Sequence, residues 1–169
     1  MVANLSAGKR GWDERWKEFS DWADEGQKVM NELLDLVDED TAAFDRIMDV
    51  FKMPKGNDEE KAARAAALEA ATLYAAQVPL RTMKTALKAL PIAKAMAEKG
   101  NPASASDAGV GALAATAAIR GAQLNVRINS TGLQDKEAAA ELNAEADAIA
   151  AEAMEMQDQI LEIVNSHIQ

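Results

Sequence analysis

Apolar residues recur with helical spacing along almost the whole chain, and the strict alternation that marks strands is nearly absent. Trp16, Ala23, Met30, Val37, Phe44 and Phe51 fall at every seventh position, and Trp12, Phe19, Gly26, Leu33, Asp40 and Ile47 run beside them. Together they predict a paired apolar seam on one long helix, or two nearly continuous ones, over roughly 12–52. Leu142, Ile149, Met156 and Ile163, flanked by Ala146, Ala153 and Ile160, predict a second long seam near the C-terminus. Such seams belong to helices packed lengthwise against partners.

Breakers divide the pattern. PKGND (54–58) interrupts it, and Asn57 stands where a helix N-cap would precede the acidic turn Asp58-Glu59-Glu60. Pro79 and Pro91 each lack an N–H, so the next helix is expected to kink or restart at Pro79 and again near Pro91. Lys99-Gly100-Asn101-Pro102 reads as a helix stop. Ser104 or Ser106 then caps a small-residue helix that Gly132 ends. No linker or second domain is visible, so the expectation is one all-α domain over 1–169.

Composition sharpens this picture. Three Trp, three Phe and one Tyr leave the core to aliphatic side chains and Ala, which suits closely spaced helices. No cysteine is present, which removes disulfides, thiolate nucleophiles and Cys-based metal sites. No apolar run reaches membrane-spanning length, and the start lacks a secretory h-region, so a cytoplasmic protein is expected. The net charge of −10 argues against a nucleic-acid partner. Against that background Arg81, Lys84 and Lys88 form a local basic stripe at i, i+3 and i+7.

The candidates for chemistry each have a plain alternative. Asp40 occupies a seam position that calls for a hydrophobe, either as a ligand contact or as an N-cap where two helices meet. Asp107 lies in the first turn of the small-residue helix, where the helix dipole alone would favour an acid. Asn125 and Asn129 share a face at i, i+4, and either read a ligand's polar edge or bond across to another helix. Eighteen residues separate Asp107 from Asn125, about 27 Å along a helix, so both cannot touch one reacting centre from the same helix. They would have to touch opposite ends of an extended ligand, or serve sites completed by another subunit. Lys9 is a solvated lysine or a ligand contact. The basic stripe either pairs with the acidic C-terminal helix or binds an anionic tail. His167, the only histidine, continues the C-terminal seam. No metal cluster, Ser/His/Asp set or phosphate-cradling loop is apparent.

SASDAGVGALAATAAIRGAQLNVRINS (104–130) resembles the SDAGV…LNVxIN signature of the formiminotransferase-cyclodeaminase family. NLSAGK (4–9), LVDEDTAAF (36–44), FKMPKG (51–56), EEKAARAAA (59–67), VPL (78–80) and GNPASASDAGVGAL (100–113) resemble the family in order and spacing. The resemblance implies a bundle of long antiparallel helices with a helical-hairpin dimerisation element, a homodimer, and no metal or prosthetic group. It implies a tetrahydrofolate substrate, sometimes polyglutamylated, and a formiminotransferase, fused or separate, as partner. Members usually begin with a further helix bearing a Pro-Gly-Gly-Gly-Ser type segment, within which this chain starts, so part of the ligand site is expected to be missing. The implied activity is formimidoyltetrahydrofolate cyclodeamination, which closes the N5 formimidoyl group onto N10 with loss of ammonia. The alternatives are methenyltetrahydrofolate cyclohydrolase and a catalytically silent dimerisation module. On the first reading Asp107 does base or charge-stabilising work, Asp40 contacts the pterin or the reacting centre, and Lys9 donates a proton or holds the tail. Asn125 and Asn129 orient the ligand, and Arg81, Lys84 and Lys88 take its tail.

Overall fold

A computed structural model describes residues 1–7 and 13–168, and of Asp13 only the backbone. Six α-helices account for nearly all of it: α1 (Val2–Ala7), α2 (Trp16–Lys52), α3 (Asp58–Leu87), α4 (Ala89–Lys99), α5 (Ala105–Ser130) and α6 (Lys136–Ile168). No strand occurs among the described residues, and none of the described helices is long and apolar enough to cross a membrane. The expected all-helical bundle is what the chain forms.

The caps follow local chemistry. Asn57 Oδ1 accepts the Glu60 N–H at 2.8 Å, while Glu60 reaches back to the Gly56 N–H at 2.7 Å, so α3 starts where its sequence says. Gly100 closes α4 by donating its N–H to Met96 O, where an added Cβ would stand 2.4 Å from that same oxygen. Asp135 accepts from the N–H groups of Glu137 and Ala138 at the start of α6.

Ion pairs and hydrogen bonds set the helix directions. Glu32–Lys88 and Glu39–Arg81 join α2 to α3 in reversed order, so the two are antiparallel. Asn129 on α5 meets Ala75 on α3, and Gly132 adjoins Thr72, an antiparallel arrangement again. Thus α2 and α5 run parallel on either side of α3. Helix α6 returns antiparallel to α5 through Thr116–Ala153, Arg127–Asp147 and Ser130–Asn143. The core where these helices meet holds Phe19, Met83, Leu90, Ile119, Val126 and Ile160.

Helix α2 is unbroken from 16 to 52; of the predicted paired seam it buries Phe19 and half-buries Ala23, Leu33 and Ile47, while Val29, Leu36, Ala43 and Val50, outside both lines, make up the rest of its buried face. Trp16, Met30, Val37, Phe44 and Phe51 are exposed, because α3 packs on a face one residue around the helix. The C-terminal seam holds, with Ala146, Ile149, Ala153 and Ile160 buried, yet His167 lies past its end and is exposed. The restart expected near Pro91 falls at Lys88, which places Pro91 in the first turn of α4, where no N–H is required.

Pro79 sits inside α3 without ending it. Its missing N–H would leave the Ala75 carbonyl without a partner, and Asn129 Nδ2 donates to that oxygen at 2.7 Å. Removing this donor should orphan a buried acceptor. Asn129→Ala is therefore expected to lower stability by about 1–3 kcal/mol in chemical denaturation. Adding Pro79→Ala, which restores an N–H at position 79, should recover part of the loss. Additive effects of the two changes would refute the pairing.

On the α5–α6 side, hydrogen bonds from Arg127 and then Gln123 hold the Asp147 carboxyl below its ordinary range. A lowered folded-state pKa means that this contact stabilises the fold at neutral pH and is lost as pH falls through the lowered value. Asp147→Asn should accordingly flatten the loss of stability in the acid range, measured as thermal midpoint against pH below about pH 4.

Candidate functional site

Because α2 and α5 stand apart on α3, a groove of about 420 Å³ opens between them. Its floor is Pro79 and Thr82, its α2 wall runs from Leu33 to Thr41, and its α5 wall from Ala118 to Asn125. That volume lies within the range of small-molecule sites, about 300–1,000 Å³. Asp40 on one wall and Asn125 on the other bring a carboxylate and an amide to the same space.

The local reasons for this placement are legible. Asp40 is mid-helix, so it caps nothing, which removes its plain alternative. It lies on the flank of α2 between the buried seam and the exposed one, at the point where α3 stops covering the helix. Asn125 is one turn before Asn129 on α5, and the Asn129–Ala75 bond holds that turn against Pro79. Gly121 gives the α5 wall its width, since nothing lies within 4 Å of where its Cβ would be. Among the described residues, neither Asp40 nor Asn125 has a side-chain hydrogen bond or ion pair within the chain. Both are exposed towards the groove.

The other candidates separate from this pair. Asn129 is half-buried and its amide N–H serves Ala75, the cross-helix alternative of the two that its spacing allowed. Asp107 is exposed in the first turn of α5 and does not line the groove. Lys9 lies outside the described residues. Arg81, Lys84 and Lys88 line a different depression of about 430 Å³ on the opposite side of the α2–α3 contact. Only Lys84 pairs with the C-terminal helix, through Glu145 at 2.7 Å; Arg81 and Lys88 pair with Glu39 and Glu32 of α2 instead. An anionic tail would have to displace three carboxylates there. Thr82 and Thr41 also border the groove and were not anticipated, although VPL (78–80) marked the place. No group of three or more metal-ligating side chains occurs among the described residues.

The sequence profile described as Formiminotransferase-cyclodeaminase matches residues 1–148.

The chain belongs to the formiminotransferase-cyclodeaminase family.

It is 37% identical over 168 residues to a methenyltetrahydrofolate cyclohydrolase of Methylorubrum extorquens, covering 99% of this chain and 81% of that protein. It is 32% identical over 136 residues to the formimidoyltransferase-cyclodeaminase of Gallus gallus, covering 80% of this chain but only 25% of that much longer protein. The solved structure of formiminotetrahydrofolate cyclodeaminase from Thermotoga maritima superimposes with a TM-score of 0.84. It is 22% identical, and the match covers 100% of this chain and 80% of that one. The six-helix arrangement is thus the fold of the cyclodeaminase group.

The two amides of the family's LNVRIN segment therefore have different work. Asn125→Ala removes no side-chain hydrogen bond among the described residues and should leave thermal stability within about 0.5 kcal/mol of the parent. The same change at Asn129 should not. Equal destabilisation by both variants in parallel melts would show that Asn125 also holds the fold together.

Proposed function

We propose that this chain is an enzyme of tetrahydrofolate one-carbon chemistry that acts on the 5,10-methenyl bridge, as a methenyltetrahydrofolate cyclohydrolase. The observation that carries the reading is the meeting of Asp40 and Asn125, both without side-chain partners among the described residues, across one groove. Identity over nearly the whole chain to a protein of that name supports the choice of hydrolysis. The second reading is formimidoyltetrahydrofolate cyclodeaminase, favoured by the 32% identity to a bifunctional relative. Both reactions pass through the same cation and differ in whether water or ammonia sits on the bridging carbon.

In hydrolysis, water attacks the carbon of the N5–CH–N10 amidinium and loses a proton, giving a neutral tetrahedral adduct. The hydroxyl then gives up its proton as the C=O forms and the C–N5 bond breaks, N5 takes up a proton, and the carbon remains on N10 as a formyl group. The overall change is cation plus water to neutral 10-formyltetrahydrofolate plus one proton. Asp40 stabilises the delocalised cation and accepts the proton of the attacking water. Asn125 orients the ligand's polar edge so that the two folate nitrogens stay in the ring-closed geometry. In cyclodeamination the same carboxylate takes the N10 proton as N10 attacks and returns it to the amino group on the tetrahedral carbon, which leaves as ammonia. Neither route requires a metal or prosthetic group. A formiminotransferase, as a separate chain or a fused domain, would supply the substrate of the second reaction, and the cytoplasm is the expected setting for both.

Turnover of 5,10-methenyltetrahydrofolate and of 5-formimidoyltetrahydrofolate, each followed by the absorbance of the methenyl chromophore, tests this. Asp40→Asn should lower kcat at least tenfold on the true substrate while the melting temperature is retained. Full activity of that variant would remove Asp40 from the mechanism. Absence of turnover and of binding by the parent chain, with both substrates, would leave only a structural role.

A further inference from the structure

Gly121 is the groove residue that the chain's own packing does not explain. It stands in the interior of α5 with helical backbone, so no left-handed conformation calls for glycine. Close packing does not call for it either. A Cβ at Gly109 would meet Val164 at 3.4 Å, whereas one at Gly121 would meet nothing within 4 Å. Gly26 and Gly111 have the same open surroundings but do not line the groove. Glycine in mid-helix weakens the helix relative to alanine, so the gain at Gly121 must lie in the space beside it.

That space is a slot with two unlike walls. On the α5 side Ala118, Gly121 and Ala122 leave little more than helix backbone, and on the α2 side Leu36 and Val37 are branched. Because α2 and α5 are parallel, this apolar stretch lies about one turn, roughly 5 Å, from the polar pair Asp40 and Asn125 towards the N-terminal ends of both helices. The floor follows in step. Counting from the Asn129–Ala75 bond in antiparallel order sets Asn125 level with Pro79, and Gly121–Ala122 level with Thr82. Thr82 is half-buried and its Oγ1 donates to Val78 O at 3.2 Å. With its proton spent inside α3, that hydroxyl offers the slot lone pairs alone.

Shape and polarity together describe what fits: a flat ring that lies on bare backbone, bears a hydrogen-bond donor on its edge, and is joined rigidly to a cation reaching Asp40. The two rings of a methenyltetrahydrofolate differ on these points. The reduced pterin is fused through N5 to the cationic bridge and carries ring N–H donors; the aminobenzoyl ring on N10 carries none. We infer that Gly121 and Thr82 select the pterin. The ring lies in the slot against Gly121 and donates an N–H to Thr82 Oγ1, while the bridging carbon stands one turn away between Asp40 and Asn125. This placement rests on the folate reading above.

Stability and binding should move in opposite directions on one substitution. Gly121→Ala should raise the melting midpoint by about 2–4 °C, as replacing a mid-helix glycine does in a chain of this size. The added methyl group fills the slot and leaves the reacting groups in place. KM for the folate that the parent turns over should therefore rise about tenfold, with kcat within about threefold. Gly26→Ala, on α2 away from the groove, should show the first effect without the second. Thr82→Val should also raise KM about tenfold, and Thr82→Ser should keep it near the parental value. The choice of ring is read with 6-methyltetrahydropterin as a competitive inhibitor, whose inhibition constant Gly121→Ala should raise as much as KM. A raised KM with unchanged inhibition by that compound, or no inhibition of the parent by it, would place the pterin elsewhere and overturn the assignment. Parental KM in both Gly121→Ala and Thr82→Val would overturn the slot while an active parent keeps the folate reading. A parent that neither turns over a folate nor binds 6-methyltetrahydropterin in calorimetry would remove both.

Discussion

The Ala75 carbonyl has no donor in its own helix, and much of the molecule is arranged around that fact. Pro79 removes the N–H that would have met it, and Asn129 of α5 supplies one instead. A hydrogen bond between a helix carbonyl and a side chain on another helix fixes rotation and register together, which an Ala-rich interface does poorly by itself. With α5 held there, Asn125 stands one turn away over Pro79, and the groove takes its floor and one wall from the same contact. Proline in mid-helix is normally a liability. Here it sets the phase between α3 and α5.

Legibility in the sequence follows how local each determinant is. Asn57 as cap, Gly100 as stop and the unbroken α2 depend on neighbours within a few residues, and the residues declare them. Which face of α2 is buried depends on where α3 lies, and that is information no single helix carries. Two apolar lines, one residue apart, could each have been the seam; α3 took the line through Leu36 and Ala43 and left that through Val37 and Phe44 outside. The same holds for the basic stripe. Charge arithmetic pointed to the acidic C-terminal helix, but Glu32 and Glu39 are nearer to Lys88 and Arg81 because α2 is antiparallel to α3.

The candidate site was partly readable for a related reason. Asp40 stood out as an acid in an apolar register, and the uninterrupted helix gives it no capping role. Asn125 and Asn129 looked equivalent because i, i+4 spacing puts them on one face. Their difference comes from Pro79, fifty positions away in sequence, and only the assembled helices bring it into view.

Electrostatics ties these parts into one argument. The chain carries a net charge of −10, and its cations in the α2–α3 region are largely neutralised by Glu32, Glu39 and Glu145. What remains near the groove is negative potential with an unpaired carboxylate at its wall, a field that favours a cation and disfavours anions. The same net charge opposes bringing two copies together, so any association must rest on apolar contact. The surfaces bordering the groove are the ones that offer it, along a face of α5 with no charged residue between Asp107 and Ile128 in its heptad positions. Covering that face would also remove water from around Asp40, and a carboxylate with less water interacts more strongly with a positive charge beside it.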